Sequence, residues 1–280
     1  MPTPAQPDLR PLFPELERRL ILLLRSLPSD AWSKPTIAGQ WTVKDVAAHL
    51  LDTSLRRLSM VRDGYHGEKP HIKSYQDLVD FLDRLNAEWV TAMRRISPAI
   101  LIAQIEESSA QVFAHFQSLE LSAPAAFSVA WAGERESENW FDIAREYTER
   151  WHHQQQIRLA TGHDHGPDAI TTRELYYPVL NTFMQALPHH YRDIARPEGT
   201  IVRINVAGEA GGSWSIVREN SAWQMSHTLR EATAEVTIPA EIAWRVVTKG
   251  IPRAQAITAS AIKGERALAE PVFSMLSIMG

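Results

Sequence analysis

The chain of 280 residues contains no cysteine. Disulfide bonding is thereby excluded, and any metal the protein holds must be bound by nitrogen and oxygen donors. A thiol nucleophile, if the chemistry needs one, has to come from outside the chain. An excess of charge of one sign is also lacking: 29 basic residues face 33 acidic ones, for a formal net charge of −4. So balanced a surface gives no general attraction to phosphate backbones or anionic lipids, and neither nucleic acid nor a membrane is an expected partner. No apolar run approaches the roughly 20 residues that cross a bilayer. The opening MPTPAQPDLRPLF has none of the charged start, apolar stretch and small-residue cleavage site of a secretory signal. The expected location is the cytoplasm. What is present, 44% apolar and 22% charged residues, is the composition of an ordinary globular protein with length for two domains.

Apolar residues recur at helical spacing over residues 8–27 and are stopped by Pro28, Ser29 and Asp30. Thr42-Val43-Lys44-Asp45 has the form of a capping box, with Asp in place of Glu, and opens a second helix to about Arg62. After Gly64 and Gly67, Ser74 begins a third helix with apolar positions at Leu78, Phe81, Leu82, Leu85 and Trp89. Ser97 and Pro98 supply the N-cap and first-turn proline of a fourth, running to about Leu119. Residues 120–139 keep no period and read as a long loop. From Asn139 six turns of helical pattern end at Gly162, suited to a left-handed C-terminal cap. The stretch GHDHGPD then marks a boundary, giving residues 1–165 as a helical bundle and 166–280 as a second domain. There a helix over 171–191 precedes strand-like segments at 200–206, 213–218, 222–227 and 234–238, expected as antiparallel hairpins. Two more helices, 239–249 and about 265–278, complete a fold class of α bundle followed by a smaller α+β domain.

One constellation could carry chemistry. Glu149 and His153 stand four residues apart on one face of the fifth helix, beside Ile157 and Ala160, with Ile143, Tyr147 and Trp151 on a neighbouring face. A carboxylate and an imidazole so placed need partners, because burying either alone is costly. His49, on the shoulder of the second helix beside Val46 and Thr53, can point along the bundle interior toward them. Two histidines and a carboxylate form the usual three-ligand arrangement of catalytic zinc, with a fourth position left for water or substrate. Nickel, iron or manganese would accept the same donors. The plainer reading is a hydrogen-bonded Glu/His pair at a helix surface. His152 competes with His153, but its face carries Arg145, Thr148 and Leu159 and looks solvated, which favours His153. His163 and His165 read as an interdomain turn, and His189-His190 as imidazoles at a helix end, where positive charge suits the dipole. Trp32, Trp41 and Trp131 read as core or lid residues, core first. Arg253, after a Gly-Ile-Pro turn, could grip a carboxylate bidentately, although its context reads first as a solvated turn arginine.

The stretch Gln40-Trp41-Thr42-Val43-Lys44-Asp45-Val46-Ala47-Ala48-His49-Leu50 resembles the opening of the second helix in the DinB-like, mycothiol-dependent maleylpyruvate isomerase family, of the form W-[ST]-[VA]-x-[DE]-[VL]-x-A-H-[LI]. Glu149 and His153 are similar to that family's E-x-x-x-H on the last bundle helix. More loosely, Gly250 and the ending Gly264-Glu265-Arg266-Ala267-Leu268-Ala269 resemble its second, sterol-carrier-like α+β domain. The resemblance implies a divalent metal held by His49, Glu149 and His153, zinc first and nickel as the alternative. It implies a low-molecular-weight thiol such as mycothiol as cofactor, and an electrophilic small-molecule substrate. A catalytic arginine is implied in the second domain, with Arg253 as nominee, and so is pairing of bundles into a homodimer. The expected activity is that of a thiol-dependent transferase or isomerase. A metal-binding stress protein without turnover and a metal-assisted hydrolase are the alternatives.

Overall fold

The computed structural model describes residues 7–68 and 70–278. The chain forms two compact units, one comprising the described residues up to Ala126 together with Glu138–Ile170, the other Phe127–Ser137 together with Thr171–Ile278. No helix among the described residues is long and apolar enough to cross a membrane.

Five helices build the first unit: α1 (Phe13–Ser26), α2 (Val43–Arg57), α3 (Tyr75–Met93), α4 (Pro98–Ser118) and α5 (Asn139–Thr161). Their starts are local events. Thr42 Oγ1 accepts the Asp45 N–H at 3.3 Å while the Asp45 carboxylate accepts the Thr42 N–H at 3.0 Å, so the capping box of α2 is closed from both sides. Ser74 and Asp77 repeat the device at α3, and Ser97 caps α4 ahead of Pro98. A single π turn, Leu58–Arg62, prolongs α2. Gly162 ends α5 at φ 73°, a left-handed value that glycine adopts without strain.

The packing centre is α2, which lies against α3, α4 and α5, while α1 packs on α4 and α5. Leu20, Leu24, Val46, Ala47, Leu50, Leu101, Ile105 and Ile157 form the apolar core, each of the larger side chains contributing about 1.5–3 kcal/mol by its removal from water. Phe13 meets Phe113, Phe116 and Tyr147 at ring centroid distances of 5.2, 5.2 and 5.4 Å. On α3 the buried residues are Val79, Val90 and Met93. The expected stripe of Leu78, Phe81, Leu82, Leu85 and Trp89 is half-buried, and Trp89 donates its indole N–H to the Ala48 carbonyl at 2.9 Å.

The second unit holds α6 (Arg173–Phe183), α7 (Leu187–Tyr191), strands β1 (Ile201–Val206), β2 (Gly212–Glu219), β3 (Ala222–Ser226) and β4 (Ala234–Ile238), then α8 (Ala240–Val247), α9 (Arg253–Ala259), β5 (Ala261–Gly264) and α10 (Arg266–Ala269). The strands form one sheet in the order β3-β2-β1-β4-β5. The β2–β3 hairpin turns through Asn220 and Ser221, both at positive φ, the conformation a two-residue hairpin loop requires. Three differences from expectation stand out. β1 pairs with β4 in parallel, Ile204 opposite Val236, where antiparallel hairpins were expected throughout. A fifth strand, β5, closes the far edge. The helix expected over 171–191 is broken by a 3-10 turn at Met184–Ala186, and that expected over 265–278 shortens to α10 and a 3-10 turn carrying Pro271. Segment 127–137 is not a bare loop. Gly133, at φ 85°, lies so close to His189 that a Cβ there would clash with its ring.

Candidate metal centre

Helix α5 has an unusual burden. Charged or polar residues occupy every face of it, yet from Gln154 back to Asp142 few of them meet water. One half of the helix resolves this with ion pairs. Arg57 reaches Asp142 at 2.5 Å and Glu146 at 3.1 Å; Arg145 also grips Asp142, at 2.6 Å. Arg150 bonds the hydroxyls of Ser54 and Ser109 at 2.7 and 3.2 Å and lies 3.5 Å from Glu17. Buried charges of opposite sign thus lie side by side, although Glu17 Oε1, Glu146 Oε1 and Arg150 Nε have no hydrogen-bond partner. Sequence reasoning missed this network. Its signal was the run of both signs at helical spacing, Asp142, Arg145, Glu146, Glu149 and Arg150.

One turn further along, imidazoles replace the guanidiniums. The donor atoms of Glu149, His152 and His153 lie within 4.8 Å of one another. The His49 ring, carried by α2, meets the His153 ring edge-on with centroids 4.7 Å apart and lies 5.0 Å from the Trp41 ring. His49 and His153 are 6% and 7% exposed, and His152 only 2%. The solvated face expected for His152 is therefore absent, because Thr148 is buried and Arg145 and Leu159 are half-buried. Trp41 also has a place at this site, against His49, whereas Trp32 is a core residue.

Hydrogen bonds orient the imidazoles. His152 Nδ1 lies 3.0 Å from the Thr148 carbonyl oxygen, an acceptor, so this nitrogen carries the proton and Nε2 the lone pair. His153 Nδ1 lies 2.9 Å from Gln156 Oε1, leaving its Nε2 3.5 Å from Glu149 Oε2. Among the buried polar atoms without a hydrogen-bond partner are His49 Nδ1 and Glu149 Oε1. Burial pushes the His49 and His152 imidazoles well below their ordinary range, with the neighbouring His153 acting in the same direction. Burial would raise Glu149, but His152 and His153 outweigh it and keep the carboxyl below the ordinary carboxylate range. Imidazole and carboxylate lone pairs gathered away from water are the condition in which a divalent cation finds its ligands. The donors of Glu149, His152 and His153 fit one, and His49 joins them only through its ring contact with His153.

The other sequence candidates fall elsewhere. His163 and His165 are exposed, His165 beside Asp164. His189 and His190 end α7, but burial pushes both below their ordinary range, and His190 Nε2 bonds the Pro271 carbonyl at 2.8 Å. They are not the dipole-favoured imidazolium pair expected. Arg253 stands at the first position of α9, half-exposed, 3.4 Å from Glu270.

Residues 13–158 match the family described as the mycothiol maleylpyruvate isomerase N-terminal domain. Among solved structures, the crystal structure of the mycothiol-dependent maleylpyruvate isomerase aligns with a TM-score of 0.51 at 13% identity, covering 88% of this chain and 91% of that chain. A histidine-to-alanine mutant of that isomerase aligns with the same values. At this identity the likeness is one of fold. No curated protein matches the sequence.

Proposed function

The chain belongs to the mycothiol maleylpyruvate isomerase N-terminal domain family, and from that membership we propose that it is a metal-dependent, thiol-dependent isomerase or transferase acting on a small electrophile of the maleylpyruvate kind. The observation that carries this reading is the convergence of the Glu149, His152 and His153 donors within 4.8 Å beside the His49 ring, with His49 Nδ1 and Glu149 Oε1 lacking hydrogen-bond partners. A buried lone pair without a donor costs free energy that a cation would return.

His49, Glu149 and His153 would hold the ion, zinc first and nickel as the alternative. When bound, the cation supplies the charge that keeps a thiol sulfur as thiolate at neutral pH, and the thiol supplies reversible addition to an activated cis double bond, which frees rotation before elimination. The remaining work falls to the chain. Glu149 is already ionised and needs no proton removed. Gln156 fixes His153 by accepting from its Nδ1, in the way outer partners orient metal-binding imidazoles. Trp41 covers one side of His49 and limits its contact with water. Arg253 remains the nominee for a substrate carboxylate, since its ion pair with Glu270 is solvent-exposed and readily exchanged. A cytoplasmic location and a homodimer complete the reading.

The test uses protein purified without a histidine tag, stripped with chelator and reloaded with zinc or nickel. Maleylpyruvate isomerisation with mycothiol should disappear on stripping, return on reloading, and fall at least about 100-fold in His49→Ala, a loss of about 3 kcal/mol of transition-state stabilisation. Undiminished turnover in His49→Ala would overturn the proposal. Ester or amide turnover without thiol would replace it with a hydrolase.

A further inference from the structure

We propose that His152 is a further protein ligand of this cation site, its Nε2 filling the position that a shell of His49, Glu149 and His153 leaves open. The inference rests on the metal reading above and extends it. Consecutive residues of a helix point about 100° apart, so adjacent histidines normally serve different faces. Here they converge: the His152 and His153 ring centroids are 3.9 Å apart, and both donors lie within 4.8 Å of the Glu149 carboxylate. His152 is the more deeply buried of the two.

Its orientation is set by the backbone. The Thr148 carbonyl can only accept, so His152 Nδ1 must donate to it, and Nε2 is left with a lone pair at the other end of the ring. That is the arrangement by which outer-shell carbonyls prepare an imidazole for a metal. On the other side His153 turns its Nε2 toward Glu149 Oε2 at 3.5 Å, its Nδ1 being engaged by Gln156. Three acceptor-bearing groups on one helix are thus gathered around one point, with His49 entering from α2. The Thr148 carbonyl engages one nitrogen of His152, and the other carries the lone pair that a cation would take.

The consequence is a four-donor protein shell, in which the chain occupies the thiol's position until a thiol takes it.

X-ray absorption on untagged, zinc-loaded protein and chelator-competition titrations with zinc alone test this. The wild type should show three imidazoles at about 2.0–2.1 Å, and His152→Ala and His152→Gln should show two. Zinc affinity should fall in both variants by at least the about 10- to 100-fold that loss of an outer-shell partner costs. Adding mycothiol to the wild type should remove one imidazole as a sulfur appears at about 2.3 Å. The glutamine variant retains a donor toward the Thr148 carbonyl, and circular dichroism of both metal-free variants separates ligand loss from misfolding. Two imidazoles in the wild type, with unchanged affinity in folded variants, would overturn the inference and leave the metal reading intact. A wild type that takes up no zinc or nickel would overturn both.

Discussion

Asp142 lies between two guanidiniums, Arg57 at 2.5 Å and Arg145 at 2.6 Å, and is almost wholly buried. Burial works to raise its carboxyl, but Arg145 and Arg57 outweigh that and hold it at about 2, against an ordinary 3.8. A depressed carboxyl stabilises the fold fully above its unfolded value and progressively less as the pH falls toward its folded one. The wild type should therefore lose about 2 kcal/mol between about pH 4 and pH 2 through this group alone. Asp142→Ala should be destabilised by about 3–5 kcal/mol at neutral pH, because Arg57 keeps only part of its buried partnership. Urea denaturation of both proteins across that pH range checks the two statements together, and equal acid slopes would remove the account. The same network explains what could and could not be read at the candidate site. The types and spacing of His49, Glu149 and His153 marked them as candidates, and the structure gathers the donors of Glu149 and His153 with those of His152, the His49 ring lying against His153. The burial of His152 was not legible, since facial periodicity assumes that one side of a helix meets water. On α5 the polar residues are buried on every side by ion pairs whose partners, Arg57 and Glu17, sit far away in sequence.

Thr42 carries the start of α2, and α2 carries His49 two turns later. Replacing Thr42 with Ala removes the acceptor for the Asp45 N–H and one donor to the Asp45 carboxylate, a loss expected to cost about 1 kcal/mol. Arg94 still pairs with Asp45 at 3.1 Å. A drop smaller than a few tenths of a kcal/mol in denaturant titrations would show that this pair holds the terminus without the hydroxyl. Elements of this kind were the legible ones. Thr42, Ser74, Ser97 and Gly162 mark helix ends through bonds made within a few residues, so the sequence states them directly. The sheet was only half legible. Alternation identified β1 to β4, but the parallel pairing of β1 with β4 and the short, exposed β5 depend on partners outside each strand's own residues. Segment 127–137 belongs with the second unit for the same reason. Its close approach at Gly133 is to His189, more than fifty residues on, and no local pattern records it.

Each unit has a core of its own, the first around α2 and the second around the five-stranded sheet. Units with separate cores can open separately, so a ligand that binds one should stabilise that one alone. All the donors of the candidate centre, His49 on α2 and Glu149, His152 and His153 on α5, lie in the first unit. A cation present at a hundredfold excess over its Kd stabilises the state that binds it by about 2.7 kcal/mol. That corresponds to roughly a hundredfold slowing of amide exchange wherever exchange requires the unit to open. Hydrogen exchange of metal-loaded and chelated protein should accordingly separate along the chain. Amides of α2 and α5 should slow on loading, those of β1 to β5 should keep their rates, and His49→Ala should narrow the difference in the first unit without touching the sheet. Slowing confined to the sheet would place the cation elsewhere in the chain. Unchanged exchange in α2 and α5 at saturating zinc or nickel would mean that the orphaned His49 and Glu149 atoms are met by something other than a metal, and the proposed chemistry would lose its foundation with them.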